Sequence, residues 1–149
     1  MDCLVNTKES EREVKFDPKK EPMWLSDDIG IRLFNWCLCI DEKAYVKALA
    51  QLAKEGKHLT PSWPDSGAKC QFVMRFGEAT DCIVMLVENK DPIENAVLLV
   101  HEAVHIWQIF CRGIGEQNPS DEFMAYTIQN ITHRLYHAYQ MALEHREKK

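Results

Sequence analysis

The chain has 149 residues, with 18 Lys and Arg against 23 Asp and Glu, for a formal net charge of −5. This length suits one domain with its own core, and the acidic balance argues against a nucleic-acid-binding module, which needs a basic surface. No apolar run reaches the roughly 18 residues of a membrane span, and the charged start lacks the apolar stretch of a secretory signal. The six scattered cysteines form no C-x-x-C pair. We therefore expect a cytoplasmic protein with reduced thiols, no nucleic-acid partner and no membrane association.

The chain is predicted to contain a charged arm and one folded domain. Residues 1–22 carry eleven charged side chains and few large apolar ones, a composition typical of a mobile arm. Residues 23–149 contain neither an internal repeat nor a low-complexity linker. We interpret them as a single domain.

Two helices are predicted in the first half of that domain. Ser26 is suited to cap the first, which the spacing of apolar residues extends to Cys37. Asp41 is suited to cap the second, and Gly56 to end it in a left-handed conformation. Residues 57–68 contain two prolines and a glycine and are predicted to form a loop.

A hairpin and two longer helices are predicted in the second half. Residues 70–76 and 81–88 are rich in Val, Ile, Phe and Met, which indicates a β-hairpin. Pro92 is placed to begin a helix over 92–112 that Gly113 and Gly115 end, and Asn118 is placed to cap a last helix. The predicted class is α+β, mostly helical, with a small antiparallel hairpin before the helix 92–112.

The chemistry is concentrated in one apolar helix. His101, Glu102 and His105 are the polar residues of a segment that is otherwise apolar apart from Gln108 and Cys111, and burying them is costly without compensation. His101 and His105 are four residues apart, so they lie on one helical face and can bind one Zn²⁺, while Glu102 lies beside that face. This is the H-E-x-x-H pattern, in which the glutamate is the general base that acts on a metal-activated water. The structural alternative is a core helix with two satisfied histidines.

A catalytic zinc needs a third protein ligand and an open position. The downstream candidates are Glu116, Asp121, Glu122, His133 and His137. We favour Glu122, because it lies in the first turn of the last helix, across the reversal that Gly113 and Pro119 indicate. Asp121 is the alternative, and His133 lies about three helical turns too far along the helix.

The motif also carries a family resemblance. His101-Glu102-Ala103-Val104-His105, followed on a second helix by Glu122-Phe123-Met124-Ala125-Tyr126, resembles the gluzincin metallopeptidases over about residues 95–130. This resemblance implies that Glu122 is the third zinc ligand, whereas Asp121 in that role would imply an aspzincin-like site. The second motif has the form E-x-x-A, which resembles that of small, minimal zincins. The two segments HEAVHIWQ and SDEFMAYTIQ are similar to segments of short proteins of bacteriophages and prophages. The resemblance implies a zinc-dependent hydrolase that cleaves a peptide bond in a peptide or protein substrate.

Three further features have both a functional and a structural interpretation. Glu122, Tyr126 and His133 lie on a polar stripe of the last helix, so Tyr126 either donates to the developing oxyanion or is an idle surface residue. Residues 82–88 are the candidate edge strand against which a peptide would pair, or a packed edge without a ligand. Trp63 and Trp107 either line a specificity pocket or anchor a loop and the core.

The alternative function is a non-catalytic binding protein. On this hypothesis a small phage or prophage protein uses a zincin scaffold to sequester a host protein, with the zinc structural or vestigial. A zinc site closed by four protein ligands would favour this alternative over the peptidase.

Overall fold

The computed structural model describes residues 25–26, 34–74 and 78–148, which contain three helices and four strands. They are β1 (Leu25–Ser26), β2 (Phe34–Cys39), α1 (Glu42–Lys54), β3 (Ala68–Val73), β4 (Thr80–Leu86), α2 (Pro92–Ile114) and α3 (Asp121–Glu147). The predicted α+β class is confirmed. The arm at 1–22 and most of the predicted first helix, residues 27–33, lie outside the described residues.

The four strands form one mixed sheet in the order β1-β2-β4-β3. β3 and β4 pair antiparallel, with Cys70 opposite Val84, so the predicted hairpin before α2 is confirmed. β2 pairs parallel to β4, with Cys37 opposite Ile83. The prediction that residues 82–88 are an edge strand is wrong, because β4 lies between β2 and β3. Among the strands that the structure describes, β3 is one of the two at an edge.

The helix predicted to reach Cys37 is also wrong over residues 34–37, which belong to β2. Trp36 and Leu38 pack on one face of the sheet, and Cys37 and Cys39 pack on the other. A strand buried on both faces has a continuous apolar sequence without alternation, and such a run cannot be told from a buried helix by periodicity.

The core lies on both sides of this sheet. One apolar cluster joins β2 and β4 to α2 and α3, and the other joins the opposite faces of the same strands to α1. The fold therefore has three layers, with α1 on one side of the sheet and the α2–α3 pair on the other. Residues 81–86 of β4 are all buried, as the central position of that strand requires.

Local sequence signals set most helix ends. The Asp41 carboxylate accepts a hydrogen bond from the Ala44 N–H at 2.7 Å, as expected of an N-cap. Gly56 and Gly115, which follow α1 and α2, have φ angles of 72° and 71°, a left-handed conformation that costs glycine little. Pro92 occupies the first turn of α2, as predicted.

The start of α3 differs from the prediction. The cap is Ser120, whose hydroxyl accepts from the Phe123 N–H at 3.2 Å, and not Asn118. Pro119 permits a helix start with Asn118 or with Ser120 as the cap, since an N-cap is extended like the residue before a proline. α3 begins where the Ser120 hydroxyl caps the Phe123 N–H. The Asn118 N–H instead donates to Glu116 Oε1 at 3.0 Å.

α2 and α3 pack against each other as the helical layer. The buried side chains of α3 recur every four residues, at Thr127, Ile131, Leu135 and Tyr139. Of the helices in the described ranges, α2 alone is long and apolar enough by composition to cross a membrane. In this structure its apolar face packs in the core, with Leu99 and Ala103 fully buried.

A buried ion pair links the residues after α1 to β4. Lys57 Nζ lies 2.5 Å from Asp81 Oδ2 and 2.9 Å from Glu55 Oε2, and both Lys57 and Asp81 are buried. The hydrogen bonds to Asp81 and then to Glu55 raise the pKa of Lys57 above its ordinary value. Asn35 Nδ2 donates to the other Asp81 oxygen at 3.2 Å.

Candidate metal and catalytic site

The two histidines of the motif lie side by side on the exposed face of α2. His101 Nε2 and His105 Nε2 are 3.0 Å apart, with ring centroids separated by 4.7 Å. This arrangement follows from the helix, which brings residues i and i+4 to the same face. Two ring nitrogens directed at each other share a single proton or a single cation between them.

Gln108 determines which nitrogen of His105 is free. Its Oε1 lies 3.2 Å from His105 Nδ1, and an amide oxygen only accepts hydrogen bonds. This contact fits the His105 tautomer that carries its proton on Nδ1, in which the Nε2 lone pair is directed at His101. A hydrogen bond to the far ring nitrogen is the usual way in which proteins orient a metal-binding histidine.

The spacing of the two imidazoles fits a zinc ion. Zn–N bonds of about 2.0–2.1 Å at a tetrahedral centre separate two ligand nitrogens by roughly 3.3 Å, close to the 3.0 Å found here. In the part of the chain that the structure describes, no group of three or more His, Cys, Asp and Glu side chains is gathered around one metal position. The geometry thus supplies two ligands and does not assign the third.

Glu102 lies next to this pair but inside the protein. Glu102 is 2% exposed, and its Oε2 has no hydrogen-bond partner among the residues that the structure describes. A buried acceptor without a partner costs about 1–3 kcal/mol, and more when it is charged. Natural proteins rarely keep such a group without a functional reason, so it marks a candidate site.

Cys70 of β3 is the neighbour of Glu102 across the helix–sheet junction. The Cys82 thiol, together with burial and the Glu102 carboxylate, raises the pKa of Cys70 well above the usual range. Cys70 therefore stays a thiol and can donate its S–H to the Glu102 carboxylate. The cysteines that the structure describes form no disulfide with one another.

These side chains line one pocket of about 470 Å³ between β3 and α2. The helix wall carries His101, Glu102 and His105, followed along the same face by Gln108 and Arg112. The strand wall carries Ala68, Lys69, Cys70 and Phe72. Phe72 and Ile109 are the large apolar side chains of the lining. The pocket thus joins the motif helix to an edge strand.

The open edge of β3 faces outward at the residues that line the pocket. The Val87 N–H donates to the Gly67 carbonyl at 2.8 Å, so the pair 67–87 is a hydrogen-bonded one. Hydrogen-bonded and non-hydrogen-bonded pairs alternate along an antiparallel ladder. The backbone N–H and C=O groups of Ala68, Cys70 and Phe72 therefore point away from β4, toward the open edge.

Glu122 is not brought to the histidines. It is exposed in the first turn of α3 and does not line the pocket. Its neighbour Phe123 packs against Trp107 and Phe110, with ring centroids 5.3 and 6.2 Å apart. At about 100° per residue, Trp107 and Phe110 lie on the side of α2 roughly opposite the two histidines. The role of Glu122 as third ligand, and that of the alternative Asp121, stay predictions.

The polar stripe of α3 lies at the surface. Tyr126 is 63% exposed and does not line the pocket, and the same holds for the exposed His133 and His137. The proposed oxyanion contact of Tyr126 is therefore not formed in this arrangement. Neither tryptophan lines the pocket. Trp107 is buried in the core, and Trp63 holds its loop against Tyr45 at a ring-centroid distance of 5.7 Å.

Sequence reasoning missed four groups of the pocket: Gln108, Arg112, Lys69 and Cys70. Gln108 and Arg112 lie three and seven residues after His105, so helical periodicity places both on the histidine face and could have indicated them. Nothing local to β3 indicated Cys70 or Lys69, because their proximity to the motif depends on how β3 packs beside α2.

Comparisons with protein-family models, curated proteins and solved structures found no match to this chain.

Proposed function

We propose that the protein is a zinc-dependent metallopeptidase, with its site in the pocket between β3 and α2. The observation that carries this proposal is the convergence of His101 Nε2 and His105 Nε2, 3.0 Å apart, beside the buried Glu102 with its free oxygen. A core helix with two satisfied histidines would not leave both of them exposed and a carboxylate oxygen without a partner.

His101 and His105 are the residues that would hold the metal, and Gln108 would keep the second one in its binding tautomer. Bound zinc would supply Lewis acidity, which lowers the pKa of a coordinated water and polarises a carbonyl. The sequence prediction adds Glu122 as third ligand, which would require the first turn of α3 to approach the pocket.

Glu102 is the group suited to move the proton. Its free oxygen accepts a proton from the attacking water as the new C–O bond forms at the scissile carbonyl carbon. When the C–N bond breaks, Glu102 returns this proton to the leaving nitrogen. The Cys70 thiol lies beside the same carboxylate and would be the nearest donor for holding its orientation.

An extended peptide fits the open edge of β3. Ala68, Cys70 and Phe72 present outward-facing backbone groups along the pocket, and such groups bind peptides by strand addition. A peptide paired there would pass beside the motif face of α2. This assignment replaces β4, whose two edges are both occupied by neighbouring strands.

The first test is metal content. We expect about one equivalent of zinc in the purified full chain by elemental analysis and none in His101→Ala. His133→Ala is the matched control, since His133 is an exposed histidine away from the pocket, and it should keep its zinc. Zinc at the same level in all three proteins, or in none of them, would contradict the proposal.

The second test separates catalysis from binding. Glu102→Gln should keep zinc and lose hydrolysis of a quenched-fluorescence peptide library, whereas the exposed control Glu144→Gln should cleave like the wild type. Loss of zinc from Glu102→Gln would make Glu102 a ligand rather than a base. A zinc-loaded wild type that cleaves no peptide would favour the non-catalytic binding protein.

A further inference from the structure

The pocket carries an exposed cation that the proposed chemistry does not use. Arg112 lines the pocket at the end of α2, on the helical face of His101 and His105. None of the ion pairs among the described residues involves Arg112. The carboxylate that shares its pocket, Glu102, is buried behind the histidines.

Lys69, the other Lys or Arg residue of the pocket, is hydrogen-bonded within the protein. Lys69 Nζ donates to Ser62 Oγ at 2.5 Å, so its ammonium group already has a partner within the protein. Arg112 is therefore the cation available to a ligand in the pocket. A guanidinium binds a carboxylate through two parallel hydrogen bonds, a geometry that an ammonium lacks.

The distance between Arg112 and the histidines matches a short stretch of extended peptide. Arg112 follows His105 by seven residues, about 10.5 Å along the helix axis. An extended chain advances about 3.3 Å per residue, so this distance corresponds to roughly three residues. A peptide lying along β3 would thus bring a side chain near Arg112 while its scissile bond lies at the histidines.

We propose that Arg112 forms a carboxylate-binding subsite and that the pocket prefers peptides with an acidic group two to four residues from the scissile bond. This inference rests on the proposed function for the position of that bond. The carboxylate comes either from an Asp or Glu side chain or from the C-terminus of the peptide. Since the whole protein is acidic, its overall field does not attract such a ligand, and the preference depends on this one local cation.

The test compares matched peptides that carry Glu or Gln at each position from two to four residues on either side of the bond. In the wild type we expect kcat/KM to be about tenfold higher for the best Glu peptide than for its Gln partner, a ratio that falls as salt is added. In Arg112→Gln the ratio should fall to about one. Lys54→Gln is the control, since Lys54 is also a basic residue in the last turn of its helix but lies on α1, and it should keep the wild-type ratio.

A second readout does not depend on turnover. Binding of the same fluorescent peptides to zinc-loaded Glu102→Gln, followed by anisotropy, should show the same preference, and adding Arg112→Gln should remove it. Peptides with a free or an amidated C-terminus distinguish the two sources of carboxylate.

The failures of the two proposals are distinguishable. Equal binding of Glu and Gln peptides, with cleavage intact, overturns the Arg112 subsite and leaves the peptidase. Absence of cleavage together with Arg112-dependent binding of acidic peptides overturns the peptidase and leaves the subsite. A preference for Glu that Arg112→Gln does not change places the subsite elsewhere and overturns the proposal.

Discussion

The side-chain oxygen of Gln108 lies 3.2 Å from His105 Nδ1, one helical turn along α2. This contact fits the His105 tautomer whose Nε2 lone pair is directed at His101, which is the form that the proposed zinc site needs. We therefore expect Gln108→Ala to weaken zinc binding by about 10- to 100-fold, as is typical for loss of such an orienting partner. Competition with a chromophoric chelator measures this change.

Gln108→Glu should restore most of that affinity, because a carboxylate accepts the same hydrogen bond. Gln129→Ala, at an exposed position of α3 outside the pocket, should leave affinity unchanged. If Gln108→Ala bound zinc like the wild type, Gln108 would have no part in the site.

Glu102 should oppose stability in the metal-free protein. Its Oε2 is buried without a hydrogen-bond partner among the described residues, so Glu102→Gln, which replaces the carboxyl group by a neutral amide, should raise the free energy of unfolding by about 1–3 kcal/mol. Urea denaturation at neutral pH in the presence of a chelator measures it. The exposed control Glu144→Gln should stay within about 0.5 kcal/mol of the wild type. A destabilised Glu102→Gln would show that the carboxylate has partners in the folded protein.

The third ligand is tested by two neighbouring acids. The sequence assigns it to Glu122 and so predicts that Glu122→Ala loses zinc while Asp121→Ala keeps it. Elemental analysis after dialysis against a zinc-free buffer distinguishes them. The reverse result would favour the aspzincin-like alternative. Zinc retained in both variants would agree with the exposed position of Glu122 in this structure. It would make Cys70, which lines the pocket beside Glu102, the next candidate for the third zinc ligand.

The Lys57–Asp81 pair should make stability fall at alkaline pH. The pKa of Lys57 is raised above its ordinary 10.5, so the folded state holds this proton more tightly than the unfolded state. The contribution is complete below about pH 10.5 and is lost as pH rises through the raised value. Burial also raises the pKa of Tyr139, which adds to the slope in the same range.

Lys57→Met should lose about 3–5 kcal/mol at pH 7, because it leaves Asp81 buried without its cation. Its stability should also fall less steeply above pH 10, with the contributions of Tyr139 and of the buried cysteines, whose pKa values are also raised, remaining. Denaturant unfolding at pH 7, 9, 10 and 11 follows both effects. Lys43→Met, at an exposed position of α1, is the control and should behave like the wild type. An unchanged alkaline slope in Lys57→Met would show that the pair does not titrate in this range.

The features that could be predicted from the sequence are those that neighbouring residues determine. Asp41 caps the start of α1 through a hydrogen bond, and Gly115 ends α2 through its backbone angles. Both predictions are confirmed, because each depends only on residues close in the sequence. Ser120 was missed because Pro119, one residue earlier, also permits a helix start. His101 and His105 face each other because they are one helical turn apart, whatever surrounds that helix.

The features that were missed depend on residues distant in the sequence. Residues 34–37 resembled the end of a helix because their apolar side chains fit helical spacing, and only their parallel pairing with β4 makes them a strand. That pairing also moves β4 to the centre of the sheet and leaves β3 at the edge. No pattern within residues 82–88 distinguishes a central strand from an edge strand, because both are apolar.

By itself the sequence determined the hairpin and the three helices α1 to α3, except for the cap of α3 at Ser120. It also determined a motif that places two imidazoles and a carboxylate within one turn of α2. Only the tertiary structure decided that β3 forms the opposite wall, that Cys70 reaches Glu102, and that Arg112 opens into the same pocket. It also placed Phe123 against Trp107 and so left Glu122 on the far side of the helix from the histidines. The physical reason is that a helical turn is set by bonds between near neighbours. The orientation of α2 depends instead on burying apolar surface from α2, α3 and β3 at once. That burial decides which face of α2 contacts β3 and which contacts α3.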